Sequence, residues 1–225
     1  MAAYDLEEQE QLDELKTWWK MHGNLVTTVV TVVAVAILAW QGWNWWQRNQ
    51  AAQASGLYSG VQLAVAQKDV KRARELAGEL IDKFSSTSYA GLAALMSAKA
   101  LAEGGDAKSA RAQLAWAAEK GKDDAVRDLA RLRLAAVMLD EKEYDEALKQ
   151  LATAPTTALA PRFNELRGDI LVAQGKTGEA KAAYEAALAK LADVTKTAAE
   201  SEVRAHGPYR EMLQGKLDVV LGGGQ

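Results

Sequence analysis

The chain has 225 residues, 27 Lys and Arg against 30 Asp and Glu, and a net charge of −3. That balance excludes a nucleic-acid binder that works by bulk positive charge. The absence of cysteine excludes disulfides, thiolate metal sites and thiol nucleophiles. With His22 and His206 as the only histidines, a multi-histidine metal centre within one chain is excluded too.

The first 50 residues differ from the rest. They hold Asp5, Glu7, Glu8, Glu10, Asp13 and Glu14 against Lys16, Lys20 and Arg48, whereas residues 51–225 are balanced in charge. Trp18, Trp19, Trp40, Trp43, Trp45 and Trp46 also lie here, leaving Trp116 as the one tryptophan of the body. Residues 1–24 form a short acidic tail. Leu6, Leu12, Leu15, Trp18 and Trp19 recur at helical spacing, which suits a helix lying at a membrane surface. An acidic tail without fixed structure fits the same residues.

From Met21 to Gln47 no charged residue occurs, and Leu25–Trp40 reads LVTTVVTVVAVAILAW. As a helix, 25–46 spans roughly 33 Å, enough to cross a hydrocarbon core of about 30 Å. The tryptophans sit at both ends, where interfaces lie. A buried core helix is the competing reading, disfavoured by the length of the run and its aromatic ends. Ala52-Gln53-Ala54 has the small-x-small form of a signal-peptidase site. The acidic start, the length of the run and the intervening Trp cluster point instead to an uncleaved anchor. Lys16 and Lys20 before the span, against Arg48 after it, lean toward a cytosolic N-terminus and an exported body.

After a linker at 47–56, residues 57–221 read as helical repeats. Four segments, 64–80, 101–117, 138–154 and 171–187, each show a helix, a short polar turn and a second helix with Ala in its first turn. These alanines are Ala73, Ala110, Ala147 and Ala180, at spacings of 37, 37 and 33. A period near 34 with paired helices is the tetratricopeptide pattern. The fourth unit fits best, with Gly168, Gly175, Ala180, Tyr184 and Ala187 at small, turn, small, aromatic and small positions. The third supplies Ala135, Tyr144, Ala147 and Ala154, then Pro155. Small residues at the crossing let helices approach, and no single unit buries its apolar stripe alone. The repeat pattern stops after Ala192. Pro208 then opens a capping helix whose apolar face is Met212, Leu213, Leu217, Val220 and Leu221. Residues 222–225 read as a flexible end. The fold class is therefore all-α: one N-terminal transmembrane helix, then a tetratricopeptide-like α-solenoid with a C-terminal capping helix.

Chemistry is sparse. No nucleophile elbow, zinc-protease, Walker A or dinucleotide fingerprint occurs. Asp123-Asp124 and Glu141/Glu143 fall at helix starts and turns, where acids favour the helix dipole. Trp116 reads as core. No catalytic residue, cofactor or metal is expected. Helical solenoids instead present a concave face to polypeptide. In the tetratricopeptide register that face carries Lys99, Glu103, Asp140, Arg162, Glu165 and Asp169, either as partner contacts or as a solvated surface. Leu95, Lys99, Arg133, Arg162 and Leu166 occupy the register of the carboxylate clamp of some such domains, without reproducing it.

The chain also resembles a known family, the ancillary subunit of the SecYEG translocon (YfgM-like proteins of Gram-negative bacteria). The likeness rests on YDLEEQEQLDELKTWWKMHGN before the span, GWNWWQRNQ closing it and AAQASGLYSGV after it. Further on it rests on TSYAGLAALMSAKALAEGGDAKSARAQL, LARLRLAAVMLDEKEYDEAL, LRGDILVAQGKTGEAKAAYEAAL and PYREMLQGKLD. It implies a single-pass inner-membrane protein with a cytoplasmic N-terminus and a periplasmic repeat domain. It also implies a non-enzymatic adaptor of the export translocon that helps pass exported proteins to periplasmic chaperones. The implied partners are the SecYEG translocon, a membrane-anchored periplasmic prolyl isomerase-like chaperone and nascent exported chains. A role of the tail in stress-response regulation is implied as well. A scaffold of an envelope assembly, in cell division or cell-wall synthesis, is the alternative for the same fold.

Overall fold

The structure is a computed structural model that describes residues 2–196 and 199–222, with side chains described from residue 11 onward except at 200–202. The described residues contain helices and no strand. They divide into two compact units, Met1–Gln50 and Ala51–Gln225.

The first unit belongs to helix α1 (Ala2–Ala66). Its apolar residues are uncovered: Leu25, Val29, Val32, Val35 and Leu38 are all exposed. A core helix would be covered on most of its faces, yet only 6 % of the most apolar stretch is buried. The threonines suit a surrounding without water. Thr27 donates its hydroxyl to the Gly23 carbonyl (2.7 Å), Thr28 to Asn24 (2.8 Å) and Thr31 to Thr27 (2.7 Å). Each polar side chain is thereby satisfied within the helix, as lipid requires. At one end the Trp18 ring stacks on His22 with centroids 5.4 Å apart, and Trp43 and Trp46 meet near the other at 5.4 Å. Residues 47–56 are part of the same helix.

In the second unit the end of α1 pairs with α2 (Val70–Phe84). Then α3 (Ser88–Glu103) pairs with α4 (Ala107–Lys120), α5 (Asp124–Asp140) with α6 (Tyr144–Gln150), and α7 (Ala160–Ala173) with α8 (Thr177–Thr195). The four reversals are one motif built four times. Lys68, Gly105, Lys142 and Gly175 each take a left-handed conformation, with φ of 58°, 85°, 62° and 74°. The next residue in each case donates its N–H five residues back: Asp69 to Ala64, Asp106 to Leu101, Glu143 to Met138 and Lys176 to Leu171, at 2.8–2.9 Å. Those are the bonds of a Schellman turn, which satisfies the last carbonyls of the first helix. Asp69 and Asp106 then cap the second helix by accepting the Arg72 and Ser109 N–H groups at 2.9 and 3.0 Å.

Behind each turn the repeat alanine is buried: Ala73, Ala110, Ala147 and Ala180 are each at most 1 % exposed. At Gly168 the crossing is tightest, since an added Cβ would lie 2.5 Å from Cε1 of Tyr184. Small and aromatic positions thus fit together as the fourth unit's pattern requires. The main core runs from α3 through α7 and includes Leu95, Leu114, Leu134, Leu151, Phe163 and Ile170. Trp116 packs against this core and against the neighbouring one formed by α1, α2 and α3, around Val61, Leu80 and Phe84. It joins two repeats, consistent with a packing role.

Three elements depart from the sequence pattern. The third unit's second helix ends at Gln150 instead of reaching Ala154. Buried Asp128 accepts the Thr156 N–H at 2.7 Å and pairs with Arg131 at 3.2 Å, while Arg167 donates to the Leu151 carbonyl at 2.7 Å. These long-range bonds, with Pro155, fix residues 151–156 as a loop before a short 3₁₀ turn at Thr157–Leu159. Second, α8 runs on to Thr195, and a short helix α9 (Glu200–Ala205) lies within the polar segment. Third, helix α10 (Gly207–Gly222) caps the stack with a narrower face than its apolar residues suggest. Leu213 is fully buried with Ala187 and Leu191, and Leu217 and Val220 pack on Leu171 and Tyr184. Met212 and Leu221 are exposed. Of the proposed flexible end, only Gly222 is described, as the last residue of α10; residues 223–225 lie outside the described residues.

Candidate functional site

The first helices of successive pairs, α3, α5 and α7, contact one another in series. They carry the six residues assigned to the concave face, and the structure separates these into three groups. On α3, Lys99 and Glu103 form an exposed i,i+4 pair at 3.7 Å. Such a pair contributes at most a few tenths of a kcal/mol, about 0.3–0.5, so both side chains are cheaply released to a partner. Asp140, the last residue of α5, is exposed and has no partner among the described residues.

The α7 residues are bound up in the fold. Glu165 is buried and Asp169 half-buried. The Lys216 ammonium of α10 donates to Glu165 Oε1 at 2.8 Å and to both oxygens of Asp169 at 2.8 Å. The Tyr209 hydroxyl donates to Glu165 Oε2 at 2.9 Å, and Tyr184 to Asp169 Oδ1 at 2.8 Å. Arg162 pairs with Glu165 at 3.2 Å and lies over the Tyr209 ring, 3.7 Å from its centroid. Two carboxylates therefore face two cations and two phenols, and every one of these groups is partnered.

Electrostatics follow from this arrangement. Burial works to lower the Lys216 pKa, but the hydrogen bonds to Asp169 and Glu165 outweigh it, and the ammonium is held above its ordinary value. Burial, and then the hydrogen bond to Asp169, pushes the Tyr184 phenol well up. Burial and the bond to Glu165 do the same to Tyr209. Both phenols therefore stay protonated donors over the whole physiological range.

Neighbouring repeats are also tied by polar contacts not singled out from the sequence. Arg74 reaches Asp106 of the next turn at 3.7 Å. One repeat on, Arg111 grips Glu141 and Glu143. The Glu143 carboxyl is held below its usual value by the Arg111 hydrogen bond. Gln174 donates to Asp145 at 3.0 Å. A signal for the first two contacts was present: Arg follows the repeat alanine in units one and two, and an acid stands in the following turn.

One exposed apolar helix long enough to cross a membrane, joined in sequence to a stack of paired helices with a repeated Schellman turn, defines a tetratricopeptide-like solenoid that follows a candidate membrane span. Comparison with known proteins agrees with this class. The family model described as "Tetratricopeptide repeat-like domain" matches residues 16–220. A protein of Neisseria gonorrhoeae named ancillary SecYEG translocon subunit is 32% identical over 221 residues, 97% of this chain and 99% of its own length. Its namesake in Haemophilus influenzae is 32% identical over 185 residues, 82% of this chain and 90% of the relative. That of Escherichia coli is 28% identical over 203 residues, 89% and 95% respectively. The chain belongs to the tetratricopeptide-like family of ancillary SecYEG translocon subunits. Its single apolar N-terminal helix fits a single-pass inner-membrane protein.

Proposed function

We propose that this protein is a non-enzymatic, membrane-tethered adaptor of the protein-export translocon, whose repeat domain helps pass exported proteins to periplasmic chaperones. One observation carries the reading: likeness to relatives named as translocon subunits extends over anchor and solenoid together, 97% of the chain in the Neisseria case. Tethering confines the solenoid to the membrane plane and raises its effective concentration near the export channel. The N-terminus lies in the cytoplasm and the repeat domain in the periplasm, in keeping with Lys16 and Lys20 on the N-side of the span. Partner contacts fall on the α3 and α5 part of the concave face, at Lys99, Glu103 and Asp140. Arg162, Glu165 and Asp169 serve first to seat α10. The membrane-anchored prolyl isomerase-like chaperone and nascent exported chains are the partners that meet this face.

Photo-crosslinking in intact cells tests the proposal, with probes at positions 99 and 140 and within the span at position 33. Adducts to translocon subunits from the span and to a periplasmic chaperone from the solenoid are expected. Adducts confined to division or cell-wall proteins would overturn the adaptor reading and establish the envelope scaffold instead.

A further inference from the structure

A cavity of about 380 Å³ opens beside the 151–157 loop, between α7 and the C-terminal end of α8. None of the six concave-face residues lines it. Its apolar wall is formed by Leu151, Pro155 and Phe163, and its charged groups are Arg167, Lys190 and Asp193. Four features give it a character. Arg167 is half-buried, spends one guanidinium bond on the Leu151 carbonyl at 2.7 Å, and has no carboxylate partner among the described residues. Asp193, the single acid, is already held by Lys196 at 2.6 Å. Lys190 is exposed and acts on Asp193 through its charge, without forming an ion pair within 4 Å. Two cations thus line the cavity against one acid, which leaves it net positive. Finally, the peptide groups of Thr153 and Ala154 make no hydrogen bond within the described residues.

From this juxtaposition we propose a second binding site, for a carboxylate carried by an extended polypeptide. The carboxylate pairs with Arg167 and Lys190, a neighbouring apolar side chain rests on Leu151, Pro155 and Phe163, and the free loop peptide groups pair with the ligand's backbone. Guanidinium suits a carboxylate because its planar donors match two oxygens. The unpaired loop peptide groups favour polypeptide over a free anion, since only a polypeptide brings backbone N–H and C=O groups to pair with them. The carboxylate is supplied either by the C-terminus of the bound polypeptide or by an Asp or Glu side group within it.

The test uses the full-length protein in lipid nanodiscs and a fluorescein-labelled hexapeptide ending in Ala-Leu with a free carboxylate, read by anisotropy. The comparison probes are the same peptide amidated, an amidated version with an internal Glu, and inorganic phosphate as competitor. Saturable binding of the free acid is expected. Arg167→Gln should weaken it at least ~10-fold, the scale of a lost charge-assisted hydrogen bond. Because Arg167 also holds the loop, Lys190→Glu is the companion variant. It sits at an exposed position and should weaken binding ~3-fold or more while leaving the unfolding temperature unchanged. Loss of binding on amidation assigns the ligand as a C-terminus, and recovery by the internal Glu assigns it as an acidic side group; either supports the site. Equal binding of the neutral amidated peptide overturns it. So do affinities unchanged in both variants, phosphate binding tighter than any peptide, or no saturable binding at all.

Discussion

Lys68 and Lys142 stand where Gly105 and Gly175 stand in the other two turns, and all four have positive φ. The left-handed region costs an L-residue with a side chain about 1 kcal/mol. Glycine escapes that cost but loses more entropy on folding. Lys68→Gly and Lys142→Gly should therefore each stabilise the fold by a net ~0.5 kcal/mol, and the two should add because the turns share no contacts. Gly105→Ala and Gly175→Ala should each destabilise by about 1 kcal/mol. Thermal unfolding of the double glycine variant should rise by ~2–4 °C, the scale for a protein of this size. Sequence pattern exposes only half of this motif. Glycine marks the turn in units two and four, whereas lysine hides it in units one and three, where the following acid and the repeat alanine carry the signal. Gly168 is a different case. It is needed for space, since its added Cβ would press on the Tyr184 ring. The ordinary gain from replacing a mid-helix glycine, about 1 kcal/mol, should be outweighed by overpacking of about 1–3 kcal/mol. Gly168→Ala should consequently lower the unfolding temperature, and it should lower it less in a Tyr184→Leu background, where the ring it presses on is gone.

At the scale of an element, α10 shows what a helix needs besides an apolar face. Leu213 supplies its buried anchor, but Met212 and Leu221 remain exposed, and the seat is completed by Lys216, Tyr209 and Arg162 around Glu165 and Asp169. The capping helix was legible from Pro208 and its apolar spacing. Its polar clasp was not, because Glu165 and Lys216 are 51 residues apart in sequence and each reads locally as a surface charge. The end of α6 was obscured for the same reason: Asp128 and Thr156 meet across 28 positions. Lys216→Met leaves two largely enclosed carboxylates without their shared cation, a loss of about 2–3 kcal/mol. Hydrogen exchange should then accelerate across 207–222 and leave α3–α6 unchanged. Exchange unaltered in α10 would show that the apolar anchor alone holds it. The pH dependence has a definite sign. Lys216, Tyr184 and Tyr209 are all raised in the folded protein. Their contribution is complete below the ordinary values of 10.5 and 10.0 and is lost as pH climbs toward the folded ones. Stability at about pH 5–9 should be insensitive to these groups and fall above about pH 10. Followed by tyrosinate absorbance, Tyr184 and Tyr209 should ionise only as the protein unfolds.

At the scale of the whole molecule, anchor and repeats were readable because both are periodic signals repeated over many residues, the one as an uncharged run, the other as alanine and turn residues at near-constant spacing. Function is less legible, because recognition by a solenoid depends on which surface charges stay uncommitted after folding. Of the candidate residues, Arg162, Glu165 and Asp169 are drawn into the α10 clasp, and only Lys99, Glu103 and Asp140 remain free of it. Orientation is the property on which the adaptor reading stands, and it rests on a narrow margin of charge: Lys16 and Lys20 against Arg48. The cysteine-free sequence makes it directly measurable. Single cysteines at Gln11 and Lys149, both exposed or partly so, can be reacted with a membrane-impermeant maleimide on intact spheroplasts. Lys149→Cys should label at once and Gln11→Cys only after lysis. The reverse pattern would place the solenoid in the cytoplasm and exclude contact with periplasmic chaperones. The margin itself can then be moved. Replacing Ala51 and Ala52 by lysine raises the count after the span above that before it, and positive residues close to a span end resist export. A measurable fraction of that variant should invert, labelling at Gln11→Cys without lysis, whereas adding two lysines at Gln9 and Gln11 instead should leave Lys149→Cys fully accessible. An unchanged orientation in the first variant would mean that the long apolar run and its tryptophan-rich end, rather than the lysine pair, set the topology.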